Sequence, residues 1–157
     1  MTHETTVTMP SDREIAIERR VSASVESVFV AYTDPELVKR WLGGPEGWSL
    51  DVCEIDLRVG GRFRYEWRHA NGEEMGMDGE YRAIEEPTKL VTTELFDADW
   101  TEGETLVTTH FREDERGTTI STTIRYSSKA ARDGALETGM TEGMEASFQA
   151  LERTLRR

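Results

Sequence analysis

Between Trp48 and Tyr126 the chain runs through stretches of alternating apolar and polar residues, with a turn signal about every ten residues. "WSLDVCEIDL" is joined through "VGG" to "RFRYEWRH", where Phe63, Tyr65 and Trp67 share one face and Arg62, Arg64, Glu66 and Arg68 the other. Asn71-Gly72 is a strong hairpin turn and leads into "MGMDGEYRAI", with Met75, Met77, Gly79 and Tyr81 in register. "EEPT", "TEGE" and "ERG" then separate "KLVTTELFD", "TLVTTHFRED" and "TTISTTIRY". Connections this short join strands only as antiparallel neighbours, so the segment must fold as a meandering sheet with one aromatic, apolar face and one charged face.

What flanks the meander decides how that apolar face is covered. "REIAIERRV" alternates and reads as one further strand. Ser24 is placed to cap a short helix bearing Val28, Phe29 and Tyr32 on one face, and Asp34-Pro35 opens a second through "ELVKRW". At the far end, Met140, Met144, Phe148, Leu151 and Leu155 fall in one helical arc, joined by Leu136 if the helix extends back that far. Glu142, Glu145, Gln149, Glu152 and Arg156 occupy the opposite arc, while Gly139, Gly143, Ala146 and Ala150 form a flank of small residues. Gly134 and Gly139 mark a bend or a break into two helical pieces. The expected architecture is α+β: a curved antiparallel sheet of about seven strands around a long C-terminal helix, with two short helices between the first two strands. Residues 1–12 are expected to form a flexible tail and residues 13–157 a single domain.

A helix with its side chains is about 10–12 Å across and cannot fill the concave side of so wide a sheet. A hollow is therefore expected between them, lined by Phe63, Tyr65, Trp67, Met75, Met77 and Tyr81. The helix face of Met140, Met144 and Phe148 bounds it, and Trp41 and Trp48 complete the aromatic set. These residues fit two arrangements, a close-packed core or a pocket for an apolar or aromatic small molecule oriented by the tyrosine hydroxyls and indole N–H groups. The methionines suit a wall that adapts to its contents.

Other chemistries find little support. The net charge of −12, with only three lysines, opposes binding to phosphate backbones and anionic membranes. No apolar run approaches the length of a membrane span, and the polar N-terminus lacks a signal-peptide core, which points to the cytoplasm. Cys53, the single cysteine, reads as a small core residue and permits no internal disulfide and no cysteine-based metal cluster. His3, His69 and His110 are far apart, and the inward set Val107, Thr109 and Phe111 turns His110 outward. No catalytic signature, metal-ligand spacing or cofactor motif is present. The only acid–base material for the hollow is Glu94, His110 or a tyrosine, and the register of the strand bearing Glu94 is ambiguous.

Taken together, Arg20, Val28-Phe29, Ala31, Asp34-Pro35, Leu37, Trp41, Asp56-Leu57-Arg58, Gly60-Gly61-Arg62-Phe63, Gly79, Tyr81, Pro87, Leu90-Val91, Gly143 and Leu151 form a pattern running through nearly the whole chain. It resembles the helix-grip superfamily of START-like lipid-transfer domains, plant pollen allergens and polyketide cyclases. Within that superfamily it is most similar to the bacterial branch related to the activator of the Hsp90 ATPase. Met144 departs from the branch, which often has an aromatic residue, usually tryptophan, just after the helix glycine. The resemblance implies, in order of preference, carriage of a hydrophobic small molecule, a co-chaperone-like module that would meet a basic protein partner, or a cyclase- or hydrolase-like enzyme. Monomer and homodimer both remain open.

Overall fold

In the computed structural model, which describes residues 5–156, alternation and capping produce the elements that the residue pattern demands. They are β1 (Thr6–Thr8), β2 (Glu14–Val21), α1 (Val25–Thr33), α2 (Pro35–Trp41), β3 (Trp48–Ile55), β4 (Arg62–His69), β5 (Glu74–Glu85), β6 (Lys89–Phe96), β7 (Thr105–Asp114), β8 (Gly117–Arg125), α3 (Lys129–Leu136) and α4 (Met140–Leu155). His3 lies outside the described residues.

The strands form one antiparallel sheet in the order β1-β2-β8-β7-β6-β5-β4-β3. The meander from β3 to β8 follows chain order, and β2 closes against the last strand, with Ile15 opposite Ile124 and Ile17 opposite Thr122. The sheet has eight strands where about seven are expected. The addition is β1, inside the segment read as a tail, which pairs Thr6 with Glu18 and Thr8 with Ala16. Its neighbour Thr5 donates its hydroxyl to Glu145 on α4. The arrangement is the helix-grip fold, α+β, with the concave face of the sheet closed by α4.

Helix boundaries follow from local chemistry. Ser24 caps α1 by accepting from the Ser27 amide at 3.2 Å, and Asp34 caps α2 by accepting from Glu36 at 2.9 Å, with Pro35 in the first turn. Replacing Ser24 with alanine orphans that amide and is expected to lower stability by about 1 kcal/mol. Thermal unfolding should show a fall of roughly 2–4 °C.

The break between α3 and α4 lies at Gly139, whose φ of 79° is the left-handed conformation that side chains disfavour. Gly134 sits within α3 and marks no break. Phe148 and Leu151 of α4 are buried in the core, each contributing about 1.5–3 kcal/mol by leaving water. Two residues expected on the solvent arc behave differently: Glu145 and Glu152 turn to Arg19, which sits on the inward phase of β2 and is 3% exposed.

Candidate functional site

Alternation along β4 points Phe63, Tyr65 and Trp67 inward as one aromatic row. Neighbouring rings are 5.1 Å apart for Phe63–Tyr65 and 5.9 Å for Tyr65–Trp67. Gly79 stands opposite Phe63 on β5, and a β-carbon there would lie 2.0 Å from the Phe63 ring. The glycine thus lets the Phe63 ring lie flat across the neighbouring strand and against Tyr81, at 5.3 Å. Between this wall and α4 is a hollow of about 330 Å³, lined mostly by apolar and aromatic side chains. That volume falls at the lower end of the range of small-molecule pockets.

Of the residues expected to line it, Trp41, Phe63, Tyr65, Trp67, Met77, Tyr81, Met140, Met144 and Phe148 do so. Trp48 and Met75 are not among the lining residues. Trp48 packs instead on His69 of the adjacent strand, rings 5.1 Å apart, because it begins β3 beside the hairpin end of β4. Met75 shares a face with Trp67, its cross-strand partner, but it follows directly on the hairpin at the start of β5 and is 39% exposed.

The polar groups differ from those expected. The indole N–H of Trp41 donates to Ala31 O, and that of Trp67 to Leu42 O, both at 2.8 Å, so backbone carbonyls already occupy them. The Tyr126 hydroxyl donates to Met140 Sδ at 3.8 Å. Burial raises the pKa of Tyr65 and Tyr81 well above that of free tyrosine, and both stay neutral.

Glu94 is the group whose position could not be read from its strand. β6 presents Leu90, Thr92, Glu94 and Phe96 to the hollow, and Glu94 lies between Gly79 of β5 and Thr105 of β7. Its carboxylate has no hydrogen bond or ion pair among the described residues. Among the described residues no fully buried side-chain oxygen or nitrogen lacks a partner, and Glu94, half-buried, opens onto the hollow. Desolvation by the surrounding apolar walls pushes its pKa up to about 7.

A file of aromatic rings leads outward from the hollow. Trp67 stacks on Phe96 at 6.5 Å, and Phe96 meets Trp100 at 5.0 Å in the loop between β6 and β7. Trp100 is 41% exposed and forms the outer end of the file. His110 faces outward and is exposed, and His69 accepts the Asn71 amide at the hairpin, so no described histidine reaches the hollow. Cys53 is buried, and burial pushes its thiol up to about 11. Among the described residues no cluster of His, Cys, Asp and Glu is placed to hold a metal ion, and no helix is long and apolar enough to cross a membrane.

A family model described as activator of Hsp90 ATPase homolog 1-like protein matches residues 22–156. Among solved structures, a protein from Rhodobacter sphaeroides is 30% identical, with 98% of each chain covered and a TM-score of 0.92. A protein from Staphylococcus epidermidis is 25% identical over 96% of this chain and 93% of its own, with a TM-score of 0.83. An AHSA1-like protein from Aeromonas hydrophila is 23% identical over 91% of this chain and 92% of its own, and its TM-score of 0.72 bears on the fold alone. No match to the chain was found among curated proteins.

Proposed function

The chain belongs to the activator of Hsp90 ATPase homolog 1-like family, and on that premise we propose that it binds and carries an apolar or aromatic small molecule between sheet and α4. The observation that supports this reading is the hollow of about 330 Å³ itself. Protein interiors are packed to crystal-like density, and a domain of this size has ample apolar side chains to fill such a space. Leaving it open forgoes the dispersion contacts of every lining atom, an arrangement that suits a protein whose ligand supplies them.

The co-chaperone-like reading rests on the family's name. A cyclase- or hydrolase-like activity would need Glu94 as its acid or base.

The reading is tested by filling the space. Met144 lines the hollow from α4, and Met144→Trp projects an indole into it. Native mass spectrometry of gently purified protein, against fatty acids, sterols and two-ring aromatics, identifies the class retained by the wild type. Met144→Trp is expected to weaken that binding at least ~10-fold, equivalent to about 1.4 kcal/mol, while the protein remains folded. Retention of no compound by the wild type, or unchanged affinity in a folded Met144→Trp protein, would count against carriage.

A further inference from the structure

Glu94 is the only acid or base other than tyrosine among the residues lining the hollow. The other buried ionic groups among the described residues have partners: Arg19 pairs with Glu145 and Glu152, and Arg132 with Asp133 and the Ser11 carbonyl. Among the described residues, the Glu94 carboxylate alone faces the mostly apolar hollow with no cation beside it and no hydrogen bond made to it. An ionised carboxylate is strongly disfavoured in such surroundings unless a counter-charge reaches it.

The walls narrow the choice of counter-group. Tyr65 from β4 and Tyr126 after β8 lie close enough to feel the Glu94 charge, and Trp67, Phe96 and Phe148 present further rings. Aromatic faces attract cations and offer nothing to a second anion. From these juxtapositions we infer that the occupant of the hollow is an aromatic compound bearing a protonated amine, its ammonium held by Glu94 and its rings filling the apolar space. The inference rests on the carriage reading and goes further by naming the ligand's chemical class. One carboxylate selects the ligand here, and the aromatic walls supply the rest of the affinity.

The tyrosines do not confuse a pH test. Tyr32, Tyr65, Tyr81 and Tyr126 are the other titratable groups around the hollow, from α1, β4, β5 and the end of β8. All are held above ordinary tyrosine by burial, Tyr126 at about 12, so none changes charge near neutral pH. The residues that α2, α4, β6 and β7 present to the hollow add no titratable group besides Glu94.

The test compares three probes of one shape by isothermal titration calorimetry near pH 8: 2-naphthylmethylamine, 2-naphthylmethanol and 2-naphthoate. The amine is expected to bind at least ~10-fold more tightly than the alcohol, and naphthoate most weakly. Glu94→Gln should erase the amine's advantage and leave the alcohol within ~3-fold of its wild-type affinity. As a check that needs no variant, the amine's affinity for the wild type should fall more than ~10-fold between about pH 8 and pH 5 as Glu94 takes up a proton, while the alcohol's does not change. If the alcohol or naphthoate binds as well as the amine, or the preference survives Glu94→Gln, the inference falls and carriage stands. If none of the three binds, carriage of aromatic compounds falls and the inference with it.

Discussion

Replacing Arg19 with methionine is expected to cost about 3–5 kcal/mol of stability, the typical effect of removing one partner from a buried ion pair. In a domain of this size that lowers the melting temperature by roughly 6–20 °C. Arg19 is 3% exposed, and its Nη2 lies 3.1 Å from Glu145 Oε2 and its Nη1 3.3 Å from Glu152 Oε1. Nη1 also donates to Arg20 O at 2.6 Å, and the guanidinium sits 5.8 Å from the centre of the Phe148 ring. One side chain therefore ties β2 to two carboxylates about two turns apart on α4. Methionine restores most of the packing but removes the cation from a carboxylate, Glu152, that is 6% exposed.

The double variant Arg19→Met/Glu152→Gln removes both buried charges and is expected to recover more than half of the loss. A single-variant cost below about 1 kcal/mol in urea unfolding would show that the network does not hold the helix. The acid limb gives an independent sign. Burial pushes the Glu145 carboxyl up, but hydrogen bonds from Arg19, Thr5 and Gln149, with the Arg19 charge, outweigh it and hold the pKa below the ordinary range. A depressed carboxylate stabilises above its unfolded pKa, and that stabilisation is lost as pH falls below about 4.5. Arg19→Met should therefore flatten the acid-side decline.

Arg19 also shows where reading the chain reaches its limit. The period of two along β2 places it inward with Ile15, Ile17 and Val21, and the period of α4 places Glu145 and Glu152 away from Leu151. Each reading treats its element alone. A charged residue on an inward phase becomes intelligible only once the crossing of α4 over β2 brings its counter-charges to it. By contrast, the aromatic wall was legible because period and residue type agree at Phe63, Tyr65 and Trp67, and the helix face was legible at Met140, Met144 and Phe148 for the same reason.

The errors lie at element ends. Trp48 and Met75 carry the right side chains, but each stands beside a hairpin, and alternation says nothing about how far a strand's inward face stays covered. β1 is silent in the sequence because Thr6–Thr8 is too short to carry a periodic signal. Glu94 could have been found by extending the period of two back from Phe96 to Leu90, which carries Glu94 to the apolar side. An acidic residue there argues against that phase on burial alone, and this is why the register stayed open.

That conflict between residue type and position predicts the second large effect. Glu94→Gln is expected to stabilise the protein by about 2–3 kcal/mol near pH 8 and to leave stability near pH 4 unchanged. Burial raises the Glu94 pKa from 4.5 to about 7, and each unit is worth about 1.36 kcal/mol, reduced here by water that enters the hollow. Between those two values the folded protein holds a proton that the unfolded chain has released, so stability contributed at this site falls as pH rises through the interval. Glutamine has the same shape and no charge, and removes that slope.

The variant should thus melt at the wild-type temperature in acid and roughly 4–12 °C higher at pH 8. Only the difference between the two proteins needs reading, because every other titrating group cancels in it. Parallel curves across the range would mean that Glu94 pays no desolvation penalty and that the hollow is wet throughout. Divergence above about pH 5 would identify a position where a stabilising substitution lies one amide away. If, as proposed, Glu94 pairs with an amine that enters the hollow, that amine should raise the melting temperature of the wild type by more than it raises that of the variant.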